Sequence, residues 1–294
     1  MRNSLINPHH KSQFLKGFSV LTRLRERFLN QLTSPHNIQG FEFSSDTASP
    51  LRWELNEISN LVPREAGLRF DISSVSAVTR DQIENNRYSV QAINQITTLS
   101  PPPPDVPFIN FGGGMGIIDC IQNQRMKTPE AHISVEGNPY ACRISERNRD
   151  LNNCSYKILN AALCYKPSVD FFMPSPRNEL ITNGGIDDRF ILRGVGGQKL
   201  TVPGVSLRDI LHSYDLGNRI AICVDIAGAE TAFVQRELEL ITSVADWLMI
   251  RWHYPNERTH PECIRGALCK RALKQRMIFD KENSTSRLSL FYRK

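Results

Sequence analysis

The chain has 294 residues, 40% of them hydrophobic and 22% charged, with a formal charge of +6 and a pI near 9.0. That mix is enough to bury a core and speaks against a disordered or fibrous chain. No apolar run approaches the roughly 20 residues of a membrane helix, so no transmembrane segment is expected.

The excess charge sits at the start. Arg2, Lys11, Lys16, Arg23, Arg25 and Arg27 are opposed there only by Glu26, and the remaining chain is nearly balanced. A basic leader attracts anionic partners in general, nucleic acid or lipid. Seven cysteines without a C-x-x-C pair read as reduced, mostly buried thiols of a cytoplasmic protein, not as a zinc site. No long apolar stretch followed by a small-residue cleavage site opens the chain, so a secretory signal is not expected.

Taken in order, Phe14, Phe18, Leu21, Leu24 and Phe28 recur at helical spacing and predict an amphipathic helix over residues 12–32. Residues 51–61, with Trp53, Leu55 and Ile58, and residues 81–98 read as further helices, and residues 68–72 as a short strand. Residues 1–100 are thus expected to form a mainly helical region that caps the site or binds a partner. Pro101 to Pro104 form a stiff connector that no helix or central strand crosses, which puts a domain boundary there.

From residue 101 to 294 strand and helix alternate. Strands are predicted at 108–111, 132–136, 156–159, 169–173, 219–226 and 247–254. Helices are predicted at 117–125, 140–151, 205–213, 230–241 and 261–274. Residues 277–280 and 287–292 read as a closing antiparallel hairpin. Such alternation predicts an α/β fold, an open, mostly parallel sheet with helices on both faces.

The sharpest local signal is Gly112-Gly113-Gly114-Met115-Gly116, between the first of these strands and its helix. Glycines let the backbone turn sharply and approach a ligand with no Cβ in the way, and the helix start offers free N–H groups. Glu136 closes the next strand, 20 residues after Gly116. A carboxylate at that place accepts hydrogen bonds from a ribose diol. The same logic serves dinucleotide oxidoreductases, but their G-x-G-x-x-G spacing differs and no second nucleotide-binding half is visible, which points away from NAD.

Several blocks, in order, resemble the FkbM family of methyltransferases. Asn110–Gly116 is similar to that family's D-x-G-A-N-x-G block, and Val135-Glu136-Gly137-Asn138-Pro139 to its E-P-n-p block. Arg147-Asn148 and Leu151-Asn152 resemble its paired asparagines, and Ala161-Ala162-Leu163 its A-l step. Val205-Ser206-Leu207-Arg208-Asp209-Ile210 resembles T-L-D-d-l. Val224-Asp225-Ile226-Ala227-Gly228-Ala229-Glu230 resembles K-I-D-v-E-G-x-E. The resemblance spans about two-thirds of the chain. It departs at Asn110, Gly137, Arg208, Cys223 and Ala227, where the family has an acid, a proline, an acid, a lysine and a glutamate.

The resemblance implies a Rossmann-like class I methyltransferase sheet with S-adenosyl-L-methionine as cofactor. It implies O-methylation of a hydroxyl on a sugar, glycan or secondary metabolite. Asn110, Gly112, Gly113, Gly114, Gly116, Glu136, Asn138, Asn160 and Asp225 become the candidate cofactor-binding residues, Asn160 and Asn138 toward the adenine. Asp225 ends a central strand beside the switch point of the sheet, where ligands of such folds lie; it is a candidate base or orienting group. His253, on the same edge, is a second candidate base, and Glu230 a candidate substrate contact. His132 is read as only starting its strand. Asp225 and Glu230 without a third acid define no metal site. Two alternatives stay open: a nucleic-acid ribose methyltransferase held by the basic leader, and a methyltransferase-like binding module whose chemistry is weakened at Cys223 and Ala227.

Overall fold

The computed structural model describes residues 52–54, 68–71, 100–174, 197–226, 228–253, 267–268, 273–279 and 286–293. The expected helices over 12–32 and 81–98 lie outside these residues, as does Ala227.

Two short strands come first, β1 (Arg52–Glu54) and β2 (Arg69–Asp71), paired antiparallel with Trp53 opposite Phe70. Strand β2 falls where a strand is expected. Strand β1 corrects the helix expected over 51–61: three of its residues are extended because their backbone pairs with β2, a long-range partner that helical periodicity does not encode.

The main sheet follows the expected alternation. Its parallel strands are β3 (Phe108–Phe111), β4 (His132–Glu136), β5 (Lys157–Asn160), β9 (Ile220–Val224) and β10 (Ala245–His253). Strand β12 (Ser286–Arg293) joins β10 antiparallel, and β11 (Leu273–Phe279) joins β12 antiparallel. The order across the sheet is β11-β12-β10-β9-β3-β4-β5. The chain starts in the middle, works out to β5, returns to β9 and ends in a hairpin with one reversed strand, the strand order of class I methyltransferases. The helix expected over 261–274 is helical at Ala267 and Leu268, but Leu273 and Lys274 belong to β11, because pairing with Arg293 and Tyr292 extends them.

Helices α1 (Ile117–Asn123), α2 (Pro139–Leu151), α3 (Leu207–Ser213) and α4 (Glu230–Val244) connect the strands. Two begin on side-chain caps. Asn138 accepts hydrogen bonds from Tyr140 and Ala141 at the start of α2, with Pro139 as its first residue. Ser206 and Asp209 form a capping box on α3. A small second sheet, β6 (Ala162–Leu163), β7 (Ser168–Pro174) and β8 (Gly197–Val205), has the order β6-β8-β7.

The core follows the strand period of two. Phe108, Ala221, Cys223, Trp247, Met249, Leu288 and Leu290 form one buried cluster with Val106 and Met126. Phe111, three residues on and so on the opposite face of the sheet, meets Phe233 of α4 with ring centroids 5.5 Å apart. Cys223, which stands where the family has lysine, is therefore core, and burial pushes its thiol pKa up, away from reactivity. Among the described residues no helix is long and apolar enough to cross a membrane.

Candidate functional site

The glycine turn leaves β3 and folds back over the end of β4. The Gly112 and Gly113 N–H groups both donate to the Val135 carbonyl, at 2.8 and 3.1 Å. Gly112 has φ 89°, in the left-handed region, and a Cβ there would overlap the Asp225 carbonyl oxygen. At Gly113 the obstacle is polar: a Cβ would overlap Ser134 Oγ.

Ser134 belongs to a buried polar floor under the turn. Asp119, fully buried on α1, accepts hydrogen bonds of 2.9 Å from Asn110 Nδ2, His132 Nε2 and Ser134 Oγ. Asn110 Oδ1 has no partner in this floor. Asn110 thus sits beneath the turn and supports it through Asp119. His132 does more than start its strand: its Nδ1 lies 3.3 Å from the Asn123 amide, and its ring stacks on Tyr156. Asp119 and Ser134 were missed in the sequence, because nothing local marks a helix acid that turns inward.

Glu136 and the turn are joined directly. Glu136 Oε2 accepts from Gly114 N–H at 2.8 Å and Oε1 from Asn138 N–H at 2.7 Å. Burial raises the carboxyl pKa to about 7, against the lowering effect of the two N–H bonds. Two N–H bonds leave further lone pairs for a diol. Asn138 spends its side chain on capping α2. Asn160, at the end of β5, donates to the Glu136 and Gly137 carbonyls at 2.9 and 3.2 Å and so fixes the strand end that carries the acid. Gly137, where the family has proline, lies against Phe171 of β7, and a Cβ would overlap that ring. The departure is a packing exchange.

The second cluster stands at the ends of β9 and β10. Asp225 N–H donates to the Phe111 carbonyl at 2.8 Å, so its backbone seals the turn. Its carboxylate meets Arg251 at 3.2 Å and His253 Nε2 at 3.3 Å. His253 Nδ1 meets Glu230 Oε1 at 2.6 Å, and Glu230 Oε2 accepts from Gly228 N–H at 2.9 Å. Burial by itself lowers the His253 pKa. The hydrogen bond to Glu230 and the charges of Asp225 and Glu230 outweigh it, and the net shift is upward. A carboxylate at each nitrogen favours the protonated imidazole. The structure thus brings Asp225, Glu230 and His253 together and adds Arg251, which the sequence did not mark.

Strand order and turn define the fold of a class I methyltransferase. No family model matches the chain, and the comparison with curated proteins returns no relative. Solved structures overlap it weakly. The N-terminal domain of human METTL16 in complex with SAH is 9% identical, covering 70% of this chain and 68% of that one at a TM-score of 0.38. A human methyltransferase 10 domain containing protein is 12% identical, covering 80% and 93% at a TM-score of 0.39. A ribosomal protein L11 methylase from Lactobacillus delbrueckii subsp. bulgaricus is 13% identical, covering 65% and 71% at a TM-score of 0.33.

Proposed function

We propose that this chain is an S-adenosylmethionine-dependent methyltransferase that methylates a hydroxyl on a sugar, glycan or secondary metabolite. The observation that carries the reading is the bond between Gly114 and Glu136, which sets an acid against a glycine turn at the carboxyl edge of the sheet. Glu136 is the residue that would hold the ribose diol, with Gly112 to Gly116 beside it. Asn160, Asn138 and Asn110 act as supports of that arrangement.

When bound, the cofactor supplies an electrophilic methyl group on a sulfonium. What remains for the chain is to align an acceptor, exclude water and receive a proton. Asp225 is assigned to orient the acceptor hydroxyl and accept its proton. Arg251 and His253 fix that carboxylate, and the buried Glu230 fixes His253. Residues 101–294 form the methyltransferase domain in this reading, with residues 1–100 as a cap or partner-binding region. The acceptor class rests on the FkbM resemblance.

The test is calorimetric titration of wild type and Glu136→Ala with S-adenosylmethionine and S-adenosylhomocysteine. Micromolar binding is expected, weakened at least tenfold by the substitution, about 1.4 kcal/mol. Equal affinity in the two proteins removes Glu136 from the site. A methyl-transfer screen over pooled hydroxyl acceptors, with RNA as a comparison arm, then addresses the substrate.

A further inference from the structure

We infer that α2 couples strand β2 to the glycine turn through Asn148 and Asn152, so that docking of β2 and occupation of the turn by an adenosyl ligand reinforce each other. The inference rests on the reading of the turn as the adenosyl site.

The two amides act like a missing strand. Asn152 Oδ1 accepts from Arg69 N–H at 2.7 Å while its Nδ2 donates to the Arg69 carbonyl at 2.6 Å. Asn148 Oδ1 accepts from Asp71 N–H at 2.6 Å. Residues 69 and 71 of a strand present their backbone on one edge, spaced by roughly 6.6 Å. Residues four apart on a helix share a face and are spaced by about 6 Å along the axis. The match lets Asn148 in the last turn of α2 and Asn152, its C-cap residue, engage successive bonding positions of β2. Arg147 adds an outer tie to the Asp71 carboxylate at 3.4 Å, and Phe70 between them is buried.

Asn148 faces both ways. Its Nδ2 donates to the Met115 carbonyl at 2.8 Å, inside the glycine turn. Met115 follows Gly114, whose N–H is held by Glu136. One fully buried side chain thus bonds β2 with its oxygen and the turn with its nitrogen. Asn152 is bound to the Asn148 carbonyl at 2.7 Å and does not itself contact the turn. Any ligand that prefers the turn as Asn148 holds it must favour the docked strand by the same factor, because coupling between two sites is reciprocal.

The experiment uses the full chain with S-adenosylhomocysteine as probe. Hydrogen exchange over residues 68–71 is followed with and without the probe, and its affinity is measured for wild type, Asn152→Ala and Asn148→Asp. The probe is expected to slow exchange over 68–71 about fivefold or more in wild type. Asn152→Ala, which removes the strand tie together with the side-chain bonds to the Asn148 carbonyl and Cys120 Sγ but no bond to residues 112–116, is expected to weaken the probe by about fivefold or more. Asn148→Asp keeps the acceptor for Asp71 but loses the donor to Met115; the probe's effect on 68–71 is then expected to vanish. General destabilisation would instead speed exchange across the whole sheet. Wild-type binding with unchanged exchange over 68–71, or wild-type affinity in Asn152→Ala, overturns the coupling alone. No binding by wild type overturns the adenosyl reading, and the coupling with it. The wild-type exchange measurement stands even if a variant fails to fold.

Discussion

Glu136 and Gly114, 22 residues apart in sequence, share a hydrogen bond of 2.8 Å that ties the acid at the end of β4 to the turn after β3. The acid sits at a pKa of about 7, raised by burial. A ribose diol donates to the ionised form. Affinity for S-adenosylhomocysteine should therefore rise up to tenfold per pH unit below about 7 and level off above it, as one proton leaves before binding. Titrations between pH 5.5 and 8.5 check this. A flat profile in wild type, or an unchanged slope in Glu136→Gln, contradicts it.

His253 bears on stability. Its folded pKa lies above the usual value near 6.5. The folded state therefore binds a proton more tightly than the unfolded chain. The resulting stability is complete below about pH 6.5 and is lost as pH rises through the folded value. Denaturant midpoints across that window should fall in wild type. His253→Gln should reduce that fall to the part contributed by Glu136, whose folded pKa is also raised, to about 7, and, at low pH, cost about 1–3 kcal/mol by leaving buried Glu230 without its cation.

Gly113 and Ser134 form a steric pair. Gly113→Ala places a methyl group on Ser134 Oγ and should destabilise by about 1–3 kcal/mol. In a Ser134→Ala background the hydroxyl is gone and the cost should shrink. A double-mutant cycle by chemical denaturation reads this coupling; strictly additive costs would show that the turn relaxes elsewhere.

Asp225→Asn separates binding from transfer. The Asp225 backbone, which seals Gly112, is untouched by the change. S-adenosylhomocysteine affinity should stay within about threefold, while turnover on an identified acceptor should fall by roughly a hundredfold or more. Unchanged turnover would remove Asp225 from the chemistry.

Much of the main sheet was legible. Strands β3 and β4 begin and end where alternation places them, and the glycine turn is visible as composition. Side-chain direction is not legible in the same way. Asn110, a candidate cofactor residue by its place in the block, turns its amide down to Asp119, and Asn138 caps a helix. Both are short amides whose direction depends on which N–H or carboxylate lies nearest. The sequence shows Gly137 in place of the family's proline but not its reason, the Phe171 ring packed against it from 34 positions further on.

What the sequence alone determined is local. Hydrophobic period, capping residues and Cβ-free backbone act over a few residues, so they place strands, helix starts and the turn without knowledge of the fold. What the tertiary structure decided is pairing at a distance: Asn152 with Arg69, His253 with Glu230 and Asp225, and Asp119 with the floor of the turn. Those partners meet only after the sheet has ordered its strands. Most buried polar groups there take the donor or acceptor that order delivers, because leaving one unpaired costs about 1–3 kcal/mol.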